Sequence, residues 1–399
     1  MVQEFDKVGV VGLGTMGAGI VEVFARAGFR VTGVEIDDTA LGRGRAHVEK
    51  SLAKAVAKGK LTEEEQSAIL GRVTFSTERE NLADADFVVE AVPERMDIKR
   101  DVFTDLDRIC PPGTILATNT SSLSVTEIAA LTSRADKVVG LHFFNPAPVM
   151  KLVEVVATVG TAPGTIELAG EVAKRIGKTP VTVGDRAGFV ANALLVPYIN
   201  DAIKAYEHKI ASREEIDTTV TKSVGLPMGP LTLADLVGLD VCLAVMDVLW
   251  DEFRESRYVA APLLRRMVAA GKLGRKSGQG FYDYSGAEEP AEEVPTGPIA
   301  RAVRDGAHGF DLADLLIVPH IDDAVRMVGE GYATVEDADT AMRFGCGYPK
   351  GLIELLDERG ADSVADVLKS LADAGFVQHT PAPLLAHLLR AGRTTLRTS

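Results

Sequence analysis

The stretch KVGVVGLGTMGAGI, residues 7–20, decides the fold. Its first half is a short apolar run of β-branched residues, the signature of a buried strand. Its second half carries GLGTMG at 12–17, which fits G-x-G-x-x-G and opens an amphipathic helical pattern. In a strand–turn–helix context each glycine has its own reason. Gly12 permits the tight turn, Gly14 lets a pyrophosphate approach the backbone, and Gly17 lets helix and strand pack closely. The helix N-terminus then offers N–H groups and a positive dipole end to the phosphates. Gly12, Gly14, Met16 and Gly17 are candidate cofactor-binding residues.

Working outward, short apolar runs alternate with amphipathic stretches as far as TPVTVGD at 179–185. The runs include RVTGVEI, RVTFS, DFVVEAV, TILATN and KVVGLHFF, and the stretches between them include 17–27 and 97–109. Near-continuous apolar strands alternating with helices predict an α/β domain, a doubly wound Rossmann sheet covered on both faces. The second strand ends at Glu35, about 20 residues beyond the glycine turn, where a carboxylate holds the adenosine ribose hydroxyls and repels a 2′-phosphate. Glu35 therefore predicts NAD rather than NADP, and Asp37 reads as the N-cap of the next helix.

Beyond 185 the strand pattern gives way to helical periodicity. The acidic, Pro-rich stretch SGAEEPAEEVPTGP at 285–298 reads as a linker. Its two sides repeat one another at a constant offset of 122 residues: Pro197, Asp217, Gly229, Asp235 and Gly238 recur as Pro319, Asp339, Gly351, Asp357 and Gly360. The expected organisation is thus a nucleotide-binding domain at 1–185 and a helical domain at 186–284. After the linker at 285–298, a second copy of the helical domain spans 299–399.

The 399 residues carry a formal charge of −14, which argues against a nucleic-acid partner and for a cytoplasmic setting. Cys110, Cys242 and Cys346 are far apart and the seven histidines form no ligand spacing, so neither a disulfide framework nor a metal is expected. No signal peptide or membrane span is expected either.

GLHFFNPAPVMKLVEV at 140–155 places His142 in one apolar strand and Glu154 in the next, with a Pro-punctuated turn between them. If the strands run back alongside each other, the carboxylate orients the imidazole and leaves its other nitrogen free as a general base. A lone pair of this kind is more often a satisfied core histidine. Lys50, Lys54 and Lys58 recur every four residues and share one helical face with Ser51. Such a run usually means a solvated face, and alternatively a patch for a phosphorylated ligand.

Taken in order, the glycine turn, EAVPERMDIK (90–99), NTSSLSV (119–125), the His142 segment and GFVANALLVPY (188–198) resemble the L-3-hydroxyacyl-CoA dehydrogenases over essentially the whole chain. The resemblance implies NAD-dependent, reversible oxidation of (3S)-hydroxyacyl-CoA to 3-ketoacyl-CoA, of the kind found in fatty-acid β-oxidation, with short chains such as 3-hydroxybutyryl as one expectation. It implies His142 as general base with Glu154 as its partner, and Ser121 and Asn192 on the substrate's 3-oxygen. It places Glu94, Lys99, Asn119 and Asn145 around the nicotinamide half of the cofactor, and Ser51 and Lys58 on coenzyme A. The chain departs from the family in Glu35, where Asp is commoner, in Ala193, where Arg is usual, and in its second helical copy. Short members dimerise through one helical domain. Here the second copy is expected to cover the first as an internal pseudo-dimer, with homodimerisation of the whole chain left open. Two other readings stand beside this one: the same chemistry on a carrier-protein-bound or free 3-hydroxy acid, and a nucleotide-binding protein without turnover.

Overall fold

The computed structural model describes residues 5–286, 292–376 and 380–397; part of the expected linker, 287–291, lies outside the described residues. The chain forms two compact units, Met1–Phe189 and Val190–Ser399.

The first unit is built on one eight-stranded sheet, ordered β3-β2-β1-β4-β5-β6-β7-β8. Its strands are β1 (Lys7–Val11), β2 (Arg30–Val34), β3 (Val73–Ser76), β4 (Phe87–Glu90), β5 (Ile115–Thr118), β6 (Val138–Phe143), β7 (Leu152–Ala157) and β8 (Thr179–Gly184). Its helices are α1 (Thr15–Arg26), α2 (Asp38–Ala57), α3 (Glu63–Leu70), α4 (Met96–Ile109), α5 (Val125–Ala129) and α6 (Pro163–Arg175). Successive strand residues point to opposite faces, and both faces are covered. Val10, Val89, Ala117 and Val139 belong to the core shared with α1 and α6; Val11, Val88, Leu116 and Val138 belong to the core under α4 and α5. This is the doubly wound arrangement that the apolar alternation predicts. The order reverses beside β1, between β2 and β4, the position at which open α/β sheets bind ligands beyond their carboxyl ends.

The sheet is not parallel throughout. β7 runs antiparallel to β6, and β8 parallel to β7. Only residues 144–151 join β6 to β7, too few for a parallel crossover, which needs a dozen or more.

The second unit is helical. It contains α7 (Ala191–Glu207), α8 (Arg213–Ser223), α9 (Pro230–Val237), α10 (Leu239–Phe253) and α11 (Pro262–Ala269), then α12 (Pro298–Arg304), α13 (Leu312–Gly329), α14 (Val335–Gly345), α15 (Leu352–Arg359), α16 (Ala361–Asp373) and α17 (Pro383–Arg390). Positions 122 residues apart do the same work. Asp217 accepts from the Leu231 and Thr232 amides at the start of α9 (2.8 and 3.0 Å); Asp339 accepts from Ile353 and Glu354 at the start of α15 (2.8 and 3.1 Å). Gly229 and Gly351 must be glycine, because a Cβ on either would lie within about 2.2 Å of the aspartate it faces. Asn200 accepts from Ala261 and Asp322 from Ala382, each at 2.8 Å, just ahead of α11 and α17. α7 packs against α13, and there Tyr198 stacks on its own counterpart, His320, with ring centroids 4.7 Å apart and planes at 17°.

Candidate active site

The glycine turn occupies the carboxyl end of β1. Gly12 has φ +87°, and a Cβ there would lie 2.8 Å from the Ala91 and Val92 backbone. A Cβ on Gly17 would lie 1.7 Å from the Gly12 carbonyl oxygen, whereas one on Gly14 would meet nothing within 4 Å. Two glycines are therefore demanded by packing, and the third leaves open space at the start of α1. Gly14 is the N-cap of α1 and gives it no side-chain cap hydrogen bond. Glu35 follows β2 directly, and its carboxylate accepts from the Leu13 amide (2.6 Å) and the Ile36 amide (3.0 Å). The acid is thus held against the turn itself. Asp37 caps α2 by accepting from Ala40 at 2.7 Å, as its position predicts. Open space, a helix N-terminus and a fixed carboxylate together fit a dinucleotide. Met16 lies in the first turn of α1.

His142 stands opposite Glu154 in the antiparallel register of β6 and β7. Directly opposed residues on one sheet face have neighbouring side chains. Nδ1 of His142 lies 2.7 Å from Glu154 Oε2, with the histidine 6% exposed and the glutamate fully buried. The imidazole packs against Phe144 and Phe189, at centroid distances of 4.7 and 5.5 Å. Phe189 has φ +50°, an uncommon conformation for a bulky residue. Among the described residues no hydrogen bond engages Nε2 of His142, so that nitrogen is available to a ligand.

Beyond β4 and β5 lies a second polar group. Lys99 on α4 is 1% exposed and donates to both oxygens of the buried Glu90 (2.8 and 2.9 Å), with Glu94 at 3.4 Å. Thr118 donates to the same Glu90 at 2.7 Å. Glu94 Oε1 accepts from the Thr120 hydroxyl and from the amides of Ser121 and Ser122 (2.6, 2.9 and 2.9 Å). Burial works against the charge of Glu94, but Lys99 and these hydrogen bonds outweigh it and hold the carboxyl below its ordinary value. Ser121 is tied by its backbone, leaving its hydroxyl without a partner among the described residues. Asn119 accepts from the Phe143 amide at 2.8 Å and so links the end of β5 to the strand of His142.

The lysine face of α2 borders two cavities. One, of about 630 Å³, is lined by Lys50, Ser51, Lys54 and Asn145 among others; a neighbouring one, of about 250 Å³, is lined by Ser51, Lys54, Lys58 and Lys60. Lys58 is not inside the helix, as the four-residue spacing suggests, but caps its C-terminus. Asn192 lies in the first turn of α7, in the second unit. Sequence reasoning missed Glu90, Thr118 and Thr120, and also Arg43, His47 and Lys60, which line these cavities. An acid ending the apolar run FVVE was a usable signal for Glu90; the other three carry no pattern.

Residues 7–186 match the model of the 3-hydroxyacyl-CoA dehydrogenase NAD binding domain. Residues 188–284 and 310–399 each match within the model of the C-terminal domain of the same enzymes. A 3-hydroxybutyryl-CoA dehydrogenase of Clostridioides difficile is 49% identical over 279 residues, covering 70% of this chain and 99% of that one. The crystal structure of 3-hydroxybutyryl-CoA dehydrogenase from Escherichia coli K12 superposes with a TM-score of 0.90 at 32% identity, covering 98% of this chain and 100% of that one. The (S)-3-hydroxybutyryl-CoA dehydrogenase of Ralstonia eutropha gives 0.69 at 45% identity, covering 71% and 100%. The glycine turn, the His142–Glu154 pair and these likenesses converge: the chain belongs to the 3-hydroxyacyl-CoA dehydrogenase family.

Proposed function

We propose that the chain oxidises (3S)-3-hydroxyacyl-CoA to 3-ketoacyl-CoA with NAD, reversibly, and that it favours short acyl chains such as 3-hydroxybutyryl. The observation that carries this reading is the His142–Glu154 pair, aligned across β6 and β7 in the unit that bears the dinucleotide turn. Bound NAD supplies the hydride acceptor. The protein's own residues do the rest. His142 Nε2 takes the hydroxyl proton, while Glu154 fixes the tautomer and stabilises the imidazolium. The Ser121 hydroxyl and Asn192 hold the 3-oxygen. Glu94 sets the backbone of residues 120–122. Lys99, fully enclosed, acts through Glu94 rather than by direct contact. Glu35, Asn119 and Asn145 complete the cofactor's surroundings. Ser51 and Lys58, with Lys54, receive coenzyme A. The acidic composition and free cysteines support a cytosolic setting, and among the described residues no helix is long and apolar enough to cross a membrane.

His142→Gln should lower kcat at least ~10³-fold, with NAD affinity unchanged by calorimetric titration. Near-normal turnover in that variant would remove the assignment.

We read the helical unit as two tandem domains that cover one another in a pseudo-dimer. The self-counterpart contact of Tyr198 and His320 supports this, because contacts of that kind lie on the axis of a two-fold interface. Chain cut after residue 286 should then self-associate in sedimentation experiments; a soluble monomer would count against the pseudo-dimer.

A further inference from the structure

The loop 144–151 joins the strand of His142 to the strand of Glu154 and walls both cavities beside α2, through Pro146, Ala147 and Pro148 in the larger and Pro148 and Val149 in the smaller. Pro146 and Pro148 have no amide N–H, which interrupts any strand ladder along it. The loop is held by its own turn, by Lys178 on one side and by α1 on the other. The Val149 and Met150 amides donate to the Pro146 carbonyl (2.9 and 3.0 Å). Lys178, just ahead of β8 and 9% exposed, donates to the carbonyls of Ala147 and Met150 (2.5 and 2.7 Å). On the opposite side the loop lies on α1 at Gly19, where a Cβ would come within 3.1 Å of both Ala147 Cβ and Pro148 Cδ.

We propose that Lys178 is a positioning residue for thioester binding: its ammonium pins the loop against α1, so that the wall facing the coenzyme A arm stays in register with His142. This rests on the dehydrogenase reading given above. A buried ammonium is costly unless well paired. Burial, then Arg26, push the Lys178 amine down to about 8, while Glu22 opposes them. Charge-assisted bonds to two carbonyls repay that cost only if the loop stays in place. Gly19 completes the device, since a Cβ there would press the loop back by a few tenths of an ångström.

The test is the affinity of the full-length chain for acetoacetyl-CoA, measured by calorimetry, together with KM and kcat for 3-hydroxybutyryl-CoA. Lys178→Met should weaken acetoacetyl-CoA binding by about tenfold and raise KM in parallel, with a smaller fall in kcat and unchanged NAD affinity. Gly19→Ala, which displaces the loop from the other side with the ammonium intact, should act in the same direction. The double variant should cost less than the sum of the two in free energy. Should Lys178→Met fail to fold, Gly19→Ala decides alone. Unchanged thioester affinity in the folded variants, or a loss of kcat with KM unmoved, would overturn the proposal while leaving the dehydrogenase reading intact. If the unmodified chain bound no CoA thioester, both would fall.

Discussion

The two halves of the helical unit differ in an instructive way. Residues that hold the fold recur with nearly the same geometry: Asp217 and Asp339 at the starts of α9 and α15, Asn200 and Asp322 ahead of α11 and α17. The residue assigned to chemistry does not recur. Asn192 makes no side-chain hydrogen bond among the described residues. Its counterpart, Asp314, is committed to the start of α13: its amide binds Asp311 in a capping box, and its carboxylate pairs with Arg359. The packing contacts recur in both halves, while the position matching Asn192 serves as part of a helix cap in the second.

The sharpest way to break this comparison is to remove both residues in turn. Asn192→Ala should lower kcat for 3-hydroxybutyryl-CoA by ~10²-fold, as expected for loss of one hydrogen-bond donor to a reacting oxygen. Asp314→Ala should leave kcat within about twofold, because it touches only a cap and a surface pair. A large loss of rate in the Asp314 variant would mean that the second half takes part in catalysis.

Next in size are the shared aspartates. Asp217→Ala and Asp339→Ala each leave two amide donors at a helix start without their acceptor. Each should cost roughly 2–3 kcal/mol in urea unfolding. Values differing by several kcal/mol would show that the halves are held by different means. The asymmetry to watch is the third partner: the Tyr282 hydroxyl for Asp217, the Arg397 guanidinium for Asp339.

The smallest effect concerns His320, which is buried without a counter-charge and pushed by burial down to about 3. Its unfolded value is higher, so the unfolded chain binds the extra proton between about pH 6.5 and about pH 3, and stability falls as pH drops through that window. Tyr198, in the matching place, carries no such penalty in acid. One pH unit below 6.5 the loss should be about 1 kcal/mol. His320→Phe should flatten the slope between pH 7.5 and 5.5, even though it also leaves the Tyr348 hydroxyl, 3.1 Å from His320 Nε2, without that partner. An unchanged slope would place the acid sensitivity elsewhere.

Much of this is legible in the sequence. Strands were readable because a sheet buried on both faces demands continuous apolar runs, and the glycine turn because packing leaves no room for a side chain at Gly12 and Gly17. The His142–Glu154 pair was readable because a short loop forces antiparallel return and brings the two strands into contact. The repeat was readable because a fixed offset survives wherever a glycine or a capping acid is sterically required. What stayed hidden depends on distant packing. The spacing of Lys99 looks like any helix-surface lysine, yet α4 turns it inward onto Glu90. Lys178 has no periodicity at all; its partners are carbonyls, which no side-chain pattern announces. The four-residue spacing of Lys58 predicts a continuing helix, but α2 ends one residue before it.

The stack of Tyr198 on His320 has a further consequence. Where two identical chains meet on a symmetry axis, any residue there faces a copy of itself, and a single mutation changes both sides at once. On the pseudo-dimer reading proposed above, joining the two halves in one chain lifts that constraint. A ring that could face only another tyrosine, or only another histidine, here faces a different partner, and each side of the contact is free to drift alone.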